Sequence, residues 1–153
     1  MSRMKAQTAM EYLMIYGWAI LIVIIVSAAL FSLGIFDYKT YVQYTSRGFY
    51  GFHVLKGAWE FSSGGNVMLK VRNTHSSDIT ITRVEAEHGG QTLINTTSSG
   101  VISSGDEYII VMTGFSDIQS GDPYKLLVSI FFTDLETNIQ DLQSSGTLTG
   151  ITT

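Results

Sequence analysis

From Tyr12 to Phe36 the chain carries no charged residue. The run reads YLMIYGWAILIVIIVSAALFSLGIF, and roughly 20 apolar residues suffice to cross a bilayer. A helix on the core of a soluble globule keeps a polar face at 3.6-residue spacing. Here Leu13, Ile15, Ile20, Leu21, Ile22, Val23, Ile24, Ile25 and Val26 cover every face. Such a helix must sit in lipid or in the centre of an assembly. Gly34 and Asp37 are its stop signals. Arg3 and Lys5 precede the run and Asp37 follows it. The positive-inside tendency therefore keeps the N-terminus cytoplasmic and exports the remainder.

Hydropathy alone leaves a secretory signal or a plain anchor. A signal peptide has an apolar core of about 7–15 residues and then a small-residue cleavage site. This core is longer, and more apolar residues follow the cleavage-like Ser27-Ala28-Ala29. An anchor fits the length better. Glu11 disturbs both readings, because a carboxylate at the edge of a membrane helix is costly unless solvated, protonated or paired. A helix that leaves lipid for a protein bundle has a use for it: setting register or meeting a cationic end.

The segment Lys5-Ala6-Gln7-Thr8-Ala9-Met10-Glu11-Tyr12 resembles the processing site of archaeal pilin precursors with class III signal peptides. There a short basic leader ends in Lys plus a small residue, Gln follows, and a Glu stands four residues after that Gln. Ala6, Gln7 and Glu11 match, while Ala9 stands where several pilin groups carry Ser. The continuation Tyr16-Gly17-Trp18-Ala19-Ile20-Leu21 is also similar to many archaeal pilin-like proteins. The resemblance covers about 30 residues in detail. It implies cleavage between Ala6 and Gln7 by a membrane prepilin peptidase, with Lys5, Ala6 and Gln7 at the junction. The apolar helix is then kept as an assembly element containing Glu11.

Gly17 reads either as a packing gap or as the point where the helix bends and neighbours approach. Ala28 and Ser32, four apart, share a face within a cluster of small residues that permits close helix–helix approach.

After Asp37, Ser, Thr and Gly become common and Pro123 is the only proline. Val67–Arg72 and Asp78–Thr82 alternate apolar and polar, with the phase broken at Arg83-Val84, as at a bulge. Gly89-Gly90 predicts a hairpin turn. Glu107–Met112 and Lys125–Phe132 are the strongest buried strands. Thr40–Thr45, Phe49–Leu55, Ala58–Phe61 and Glu136–Leu142 are weaker ones. Ser144–Gly150 is either a last strand or a frayed end. Turn residues separate these at sandwich-like spacing. The expected class is α+β: a cleaved leader at 1–6, a hydrophobic helix at 7–37, and an all-β, immunoglobulin-like sandwich head at 38–153. Tyr41, Tyr44, Phe49, Tyr50, Phe52, Trp59 and Phe61 crowd the start of that head; most are expected in its core or at its seam with the helix, and an exposed subset would form subunit contacts.

The formal net charge of −4 carries no basic nucleic-acid footprint. The absence of cysteine excludes disulfides, thiolate zinc sites and a Cys nucleophile. His53, His75 and His88 lack metal-ligand spacing. Glu85/Glu87 and Asp134/Glu136 read as solvated strand edges. Asp117 and Asp122 flank a turn too sparse in oxygen ligands for calcium. No catalytic residue, metal or cofactor is expected. Asn95-Thr96-Thr97 is an N-glycosylation acceptor pattern at Asn95.

The resulting expectation is a structural subunit of an adhesion pilus, polymerising through its helix into an extracellular filament. Its partners would be further copies of itself, the prepilin peptidase, an assembly ATPase and a membrane platform. A membrane-anchored extracellular binding module, sugar-binding for example, is the alternative. The swimming filament of archaea carries a Gly-rich junction that Gln7-Thr8-Ala9 does not match.

Overall fold

A computed structural model describes residues 2–96 and 98–153; the side chains of residues 2–9, Tyr38 and Thr40 lie outside the described set. The chain divides into two compact units, Met1–Tyr41 and Val42–Thr153.

The first unit is helix α1, Ser2–Ser32. It contains no proline and only one glycine, Gly17, so its Leu, Met and Ala residues meet no breaker until Gly34. There the chain turns left-handed at φ 67°. Ile35 N–H donates to Leu30 C=O at 3.3 Å and Gly34 N–H to Phe31 C=O at 3.1 Å. These two bonds make a Schellman cap, which satisfies carbonyls the helix end would otherwise leave bare. A 3-10 turn follows at Tyr38–Tyr41. The Asp37 carboxylate accepts the Lys39 N–H at 3.1 Å, and the Tyr41 hydroxyl donates to the Ile35 carbonyl at 3.1 Å. The strand expected over Thr40–Thr45 is therefore replaced by a capped turn, and extended structure starts only at Thr45.

The second unit is antiparallel β. Its strands are β1 Thr45–Arg47, β2 Phe52–His53, β3 Trp59–Phe61, β4 Asn66–Asn73 and β5 Ile79–His88. They continue with β6 Gln91–Asn95, β7 Val101–Ile102, β8 Glu107–Thr113, β9 Pro123–Asp134 and β10 Leu142–Ile151. One six-stranded sheet runs β1-β10-β9-β5-β6, with β7 also paired to β5; a four-stranded sheet runs β2-β4-β3, with β8 also on β4. β5 and β6 form a hairpin that pairs His88 with Gln91. Its two-residue turn, Gly89-Gly90, has φ of 57° and 79°. Both values are left-handed, as a type I′ turn requires, and glycine takes them at no steric cost. The broken phase in β5 is an irregularity between Ile81 and Arg83 against β9.

Alternation sends Val67, Leu69 and Val71 of β4 and Leu126, Val128, Ile130 and Phe132 of β9 into one apolar core. Each fully buried Val, Leu, Ile or Phe stabilises by roughly 1.5–3 kcal/mol. The two sheets meet there. Phe52 lies edge-on to Phe132, with ring centroids 5.2 Å apart, and Phe61 edge-on to Tyr124, also at 5.2 Å. Of the early aromatics, Phe52, Trp59 and Phe61 are core, Phe49 packs against it, and Tyr41 and Tyr50 are exposed.

Two further weak strands, besides Thr40–Thr45, differ from expectation. Phe49–Leu55 shrinks to β2, because Gly48 and Gly51 on its N-terminal side take left-handed φ of 95° and 75°. Glu136–Leu142 is a turn: the Asp134 carboxylate accepts the N–H groups of Glu136 and Thr137 at 2.9 and 3.2 Å. Asn138 and Asp141 then adopt positive φ, both 54°, before β10 begins. The Ser/Thr/Gly tail is no frayed end. As β10 it pairs with β9 from Leu142↔Phe132 to Ile151↔Pro123.

Candidate functional site

The feature in the molecule with the least internal explanation is α1. From Met10 to Ser32 its 23 residues are long and apolar enough to cross a membrane. A segment of this kind serves as an anchor or a signal sequence. Leu13, Ile15, Trp18, Ile20, Val23 and Ile24 are all exposed, so no face is covered by the chain itself.

The residues singled out in the sequence are distributed along this helix. The backbone of Lys5, Ala6 and Gln7 lies within α1, and their side chains are outside the described set. Glu11 is exposed one position inside the apolar span. Gly17 has open space where a Cβ would stand, so it opens a gap on the helix surface rather than relieving an internal clash. Ala28 and Ser32 stand one turn apart and exposed.

One arrangement was missed. The Tyr16 hydroxyl donates to the Tyr12 hydroxyl at 3.2 Å, and the rings lie with centroids 4.7 Å apart. Their i, i+4 spacing was legible as a shared face.

In the β unit, the outer face of the four-stranded sheet carries a charged clasp. Glu107 on β8 takes Arg72 at 2.6 Å and also pairs with Lys70, both on β4. The hydrogen bonds from Lys70 and then Arg72 hold its carboxyl below the usual range. Asp134 is likewise held low, chiefly by the Thr137 backbone N–H. Tyr124 is pushed up to about 12 by burial of its phenol. Beside the clasp lies an open depression of about 380 Å³, lined by Trp59, Glu60, Met68, Lys70 and Ile109 among others. It offers one indole and one acid, and Lys70 already pairs with Glu107.

Asn95 ends β6, and its amide donates to the Val111 carbonyl of β8 at 3.1 Å. Thr97, the third residue of the glycosylation pattern, lies outside the described residues. The histidines have separate settings. His53 is exposed on β2. His75 packs against Tyr50, Phe52 and Phe132. His88 sits edge-on to Phe61 and bonds the Lys125 carbonyl at 3.1 Å. Glu85 pairs with Arg83, which caps the Phe131 ring at 3.9 Å. Glu87 is exposed on the same strand, and Glu136 is exposed in the turn that Asp134 caps. Asp117 takes a φ of 60° and Asp122 donates its N–H to the Gln119 carbonyl, both in the loop before β9. Among the described residues no group of three or more His, Asp or Glu is placed to hold a metal ion.

No protein-family model matches the chain, and no curated protein matches it significantly.

Proposed function

We propose that this chain is the precursor of an archaeal type IV-like pilin, whose helix polymerises and whose β unit forms the exposed sheath of an extracellular filament. The observation that carries the reading is the combination on α1. A basic leader, the Lys5-Ala6-Gln7 junction and Glu11 stand in order up to the N-terminal edge of a helix that is apolar and uncovered on every side from Tyr12 on. Between copies of itself such a helix buries what the single chain leaves open, with small residues such as Gly17, Ala28 and Ser32 allowing close approach. Repeated heterologous contacts that do not close produce an open helical fibre.

The head is read as an immunoglobulin-like sandwich. Two antiparallel sheets that share one core and touch through Phe52–Phe132 and Phe61–Tyr124 support this. The role is structural and adhesive rather than enzymatic. The precursor resides in the membrane with its head outside, a prepilin peptidase removes residues 1–6, and an assembly ATPase with its platform feeds subunits into the fibre.

The test is intact mass and N-terminal sequencing of the protein from its own cell surface. A start at Gln7 with the apolar helix retained is expected. A start at Met1 would leave an ordinary anchor, and a start near Leu30 a secreted β domain; either overturns the reading.

The depression beside Trp59 favours, as a second reading, a membrane-anchored binding module that uses the same processing route. Saturable binding of a sugar by the monomeric chain, lost in Met68→Lys and Ile109→Lys, would select it.

A further inference from the structure

β8 is a sheet edge without the usual guards. Among the described strands only β4 pairs with it. The Lys70 N–H donates to the Ala58 carbonyl on the far side of β4, so the opposed residues Lys70 and Ile109 exchange no hydrogen bond. By the same alternation Ile109, Val111 and Thr113 turn their N–H and carbonyl groups away from β4. The Val111 carbonyl meets the Asn95 amide there at 3.1 Å, which takes one of its two lone pairs. No ladder joins β6 to β8, and clefts of about 300 and 220 Å³, both lined by Asn95 and Val111, lie along the edge. Natural edges are blunted by shortness, Pro, a bulge or an outward Lys. β8 runs for 7 residues in unbroken register with β4 and holds no Pro, Gly or Lys. Its one charge, Glu107, is already taken by Lys70 and Arg72. The other edges are short or interrupted. β1 has 3 residues, β2 and β3 share one flank of β4, and β6 and β7 share one flank of β5. Beside the β8 edge, Met68, Ile109 and Val111 are exposed on the outer face.

We propose that β8 pairs antiparallel with β8 of a second copy, joining two four-stranded sheets into one. The register that uses the whole strand sets Ile109 opposite Val111 of the second copy and Glu107 opposite its Thr113. Each of these residues offers one N–H and one carbonyl to the edge, so the two backbones satisfy each other. The apolar side chains then meet at the centre, and the clasped carboxylates lie at opposite ends, so no like charges face one another. This self-complementarity selects a second copy over a foreign strand. The relation is isologous and closes on a pair. A seam of one strand from each copy is small, at the weak end of specific interfaces. It joins chains held at high local concentration and leaves dilute chains apart. The contact lies in the β unit alone and does not depend on the cleavage or polymerisation of α1.

The chain carries no cysteine of its own, so single thiols report the register. Full-length Ile109→Cys and Val111→Cys chains are concentrated in detergent, separately and as a mixture, and then oxidised. Directly opposed residues bring their Cα atoms to about 5.5 Å, within disulfide reach, whereas like residues sit a diagonal apart and beyond it. A cross-linked dimer is expected in the mixture and in neither single population. Thr113→Pro on both chains should abolish it. The Thr113 N–H faces the free edge, so the ring removes no bond to β4, and an unchanged circular dichroism spectrum is expected. Three results would overturn the proposal. One is cross-linking of each single population as readily as the mixture, which would refute the register. The second is no cross-link in the mixture, which would give the edge to an extended segment of another protein. The third is a dimer that persists with Thr113→Pro in a folded chain, which would place the contact elsewhere. N-terminal sequencing judges the filament reading separately. A start at Gln7 with no cross-link sinks this contact and leaves the pilin reading standing.

Discussion

Asn73 shows how one polar side chain organises the β unit from inside. It is 1% exposed, yet its amide donates to the Ser77 and Ile102 carbonyls at 3.0 and 3.1 Å, and its oxygen accepts the His75 N–H at 2.9 Å. Two loop groups and one carbonyl of β7 hang on one residue. Asn73→Ala removes these bonds and leaves buried carbonyls unmet, a loss of about 3 kcal/mol. Thermal unfolding of the detergent-solubilised chain should register it as a lowered Tm. Charge sets the pH limits. Glu107 and Asp134 have depressed carboxyls in the fold. Their contribution is complete above the unfolded carboxyl range, about pH 4, and is lost as pH falls through their lower folded values. Stability should therefore decline on acidification below about pH 4, and less steeply in Glu107→Gln. Tyr124 works at the opposite end. Burial raises its pKa from the ordinary 10.0 to about 12, so its contribution is complete below 10 and lost as pH rises toward 12. Alkaline unfolding followed by circular dichroism should be shifted upward in Tyr124→Phe.

At the scale of elements, legibility followed how far each segment obeyed its own period. α1, β4, β8 and β9 were readable because apolar residues recur without a gap, and the β5–β6 turn because Gly89-Gly90 has few other uses. The segment of β10 reads ambiguously because its inward positions carry Ser144, Gly146 and Gly150 beside Leu148, which hides the alternation. The reason is spatial. A side chain at Gly146 would strike the Phe49 ring, and one at Gly150 would meet the Tyr44 ring at 2.7 Å. The aromatic segment before β2 supplies the bulk that β10 lacks, a long-range fit that no local pattern reports. Gly146→Val should accordingly cost about 1–3 kcal/mol through overpacking, read as a lowered midpoint in chemical denaturation. Glu136–Leu142 misled in the other direction. Its alternation is real, but Asp134 captures two backbone N–H groups and turns the chain first. On α1 the Tyr12–Tyr16 bond was legible only as spacing, since sequence gives a shared face but not which hydroxyl keeps its proton.

For the whole molecule, the two units make opposite demands on solvent. Residues 42–153 bury their apolar alternation in one core, while α1 leaves its own uncovered. A fragment of residues 42–153 should be soluble, folded and monomeric by size-exclusion chromatography and circular dichroism, whereas the full chain should need detergent or copies of itself. Aggregation of that fragment would mean that the exposed Met68, Ile94, Ile109 and Val111 need cover as well.

The head begins where it ends, with β1 paired to β10 through Thr45↔Thr149. A pull on the chain that enters the β unit falls first on a strand of 3 residues. Backbone pairing that short peels readily. What resists the tug is the pair of rings behind it, Tyr44 and Phe49, seated in the hollows left by two glycines of β10. The missing side chains of Gly150 and Gly146 thus act as sockets, and the hold of the first strand on the last is set by how hard it is to draw an aromatic ring out of each.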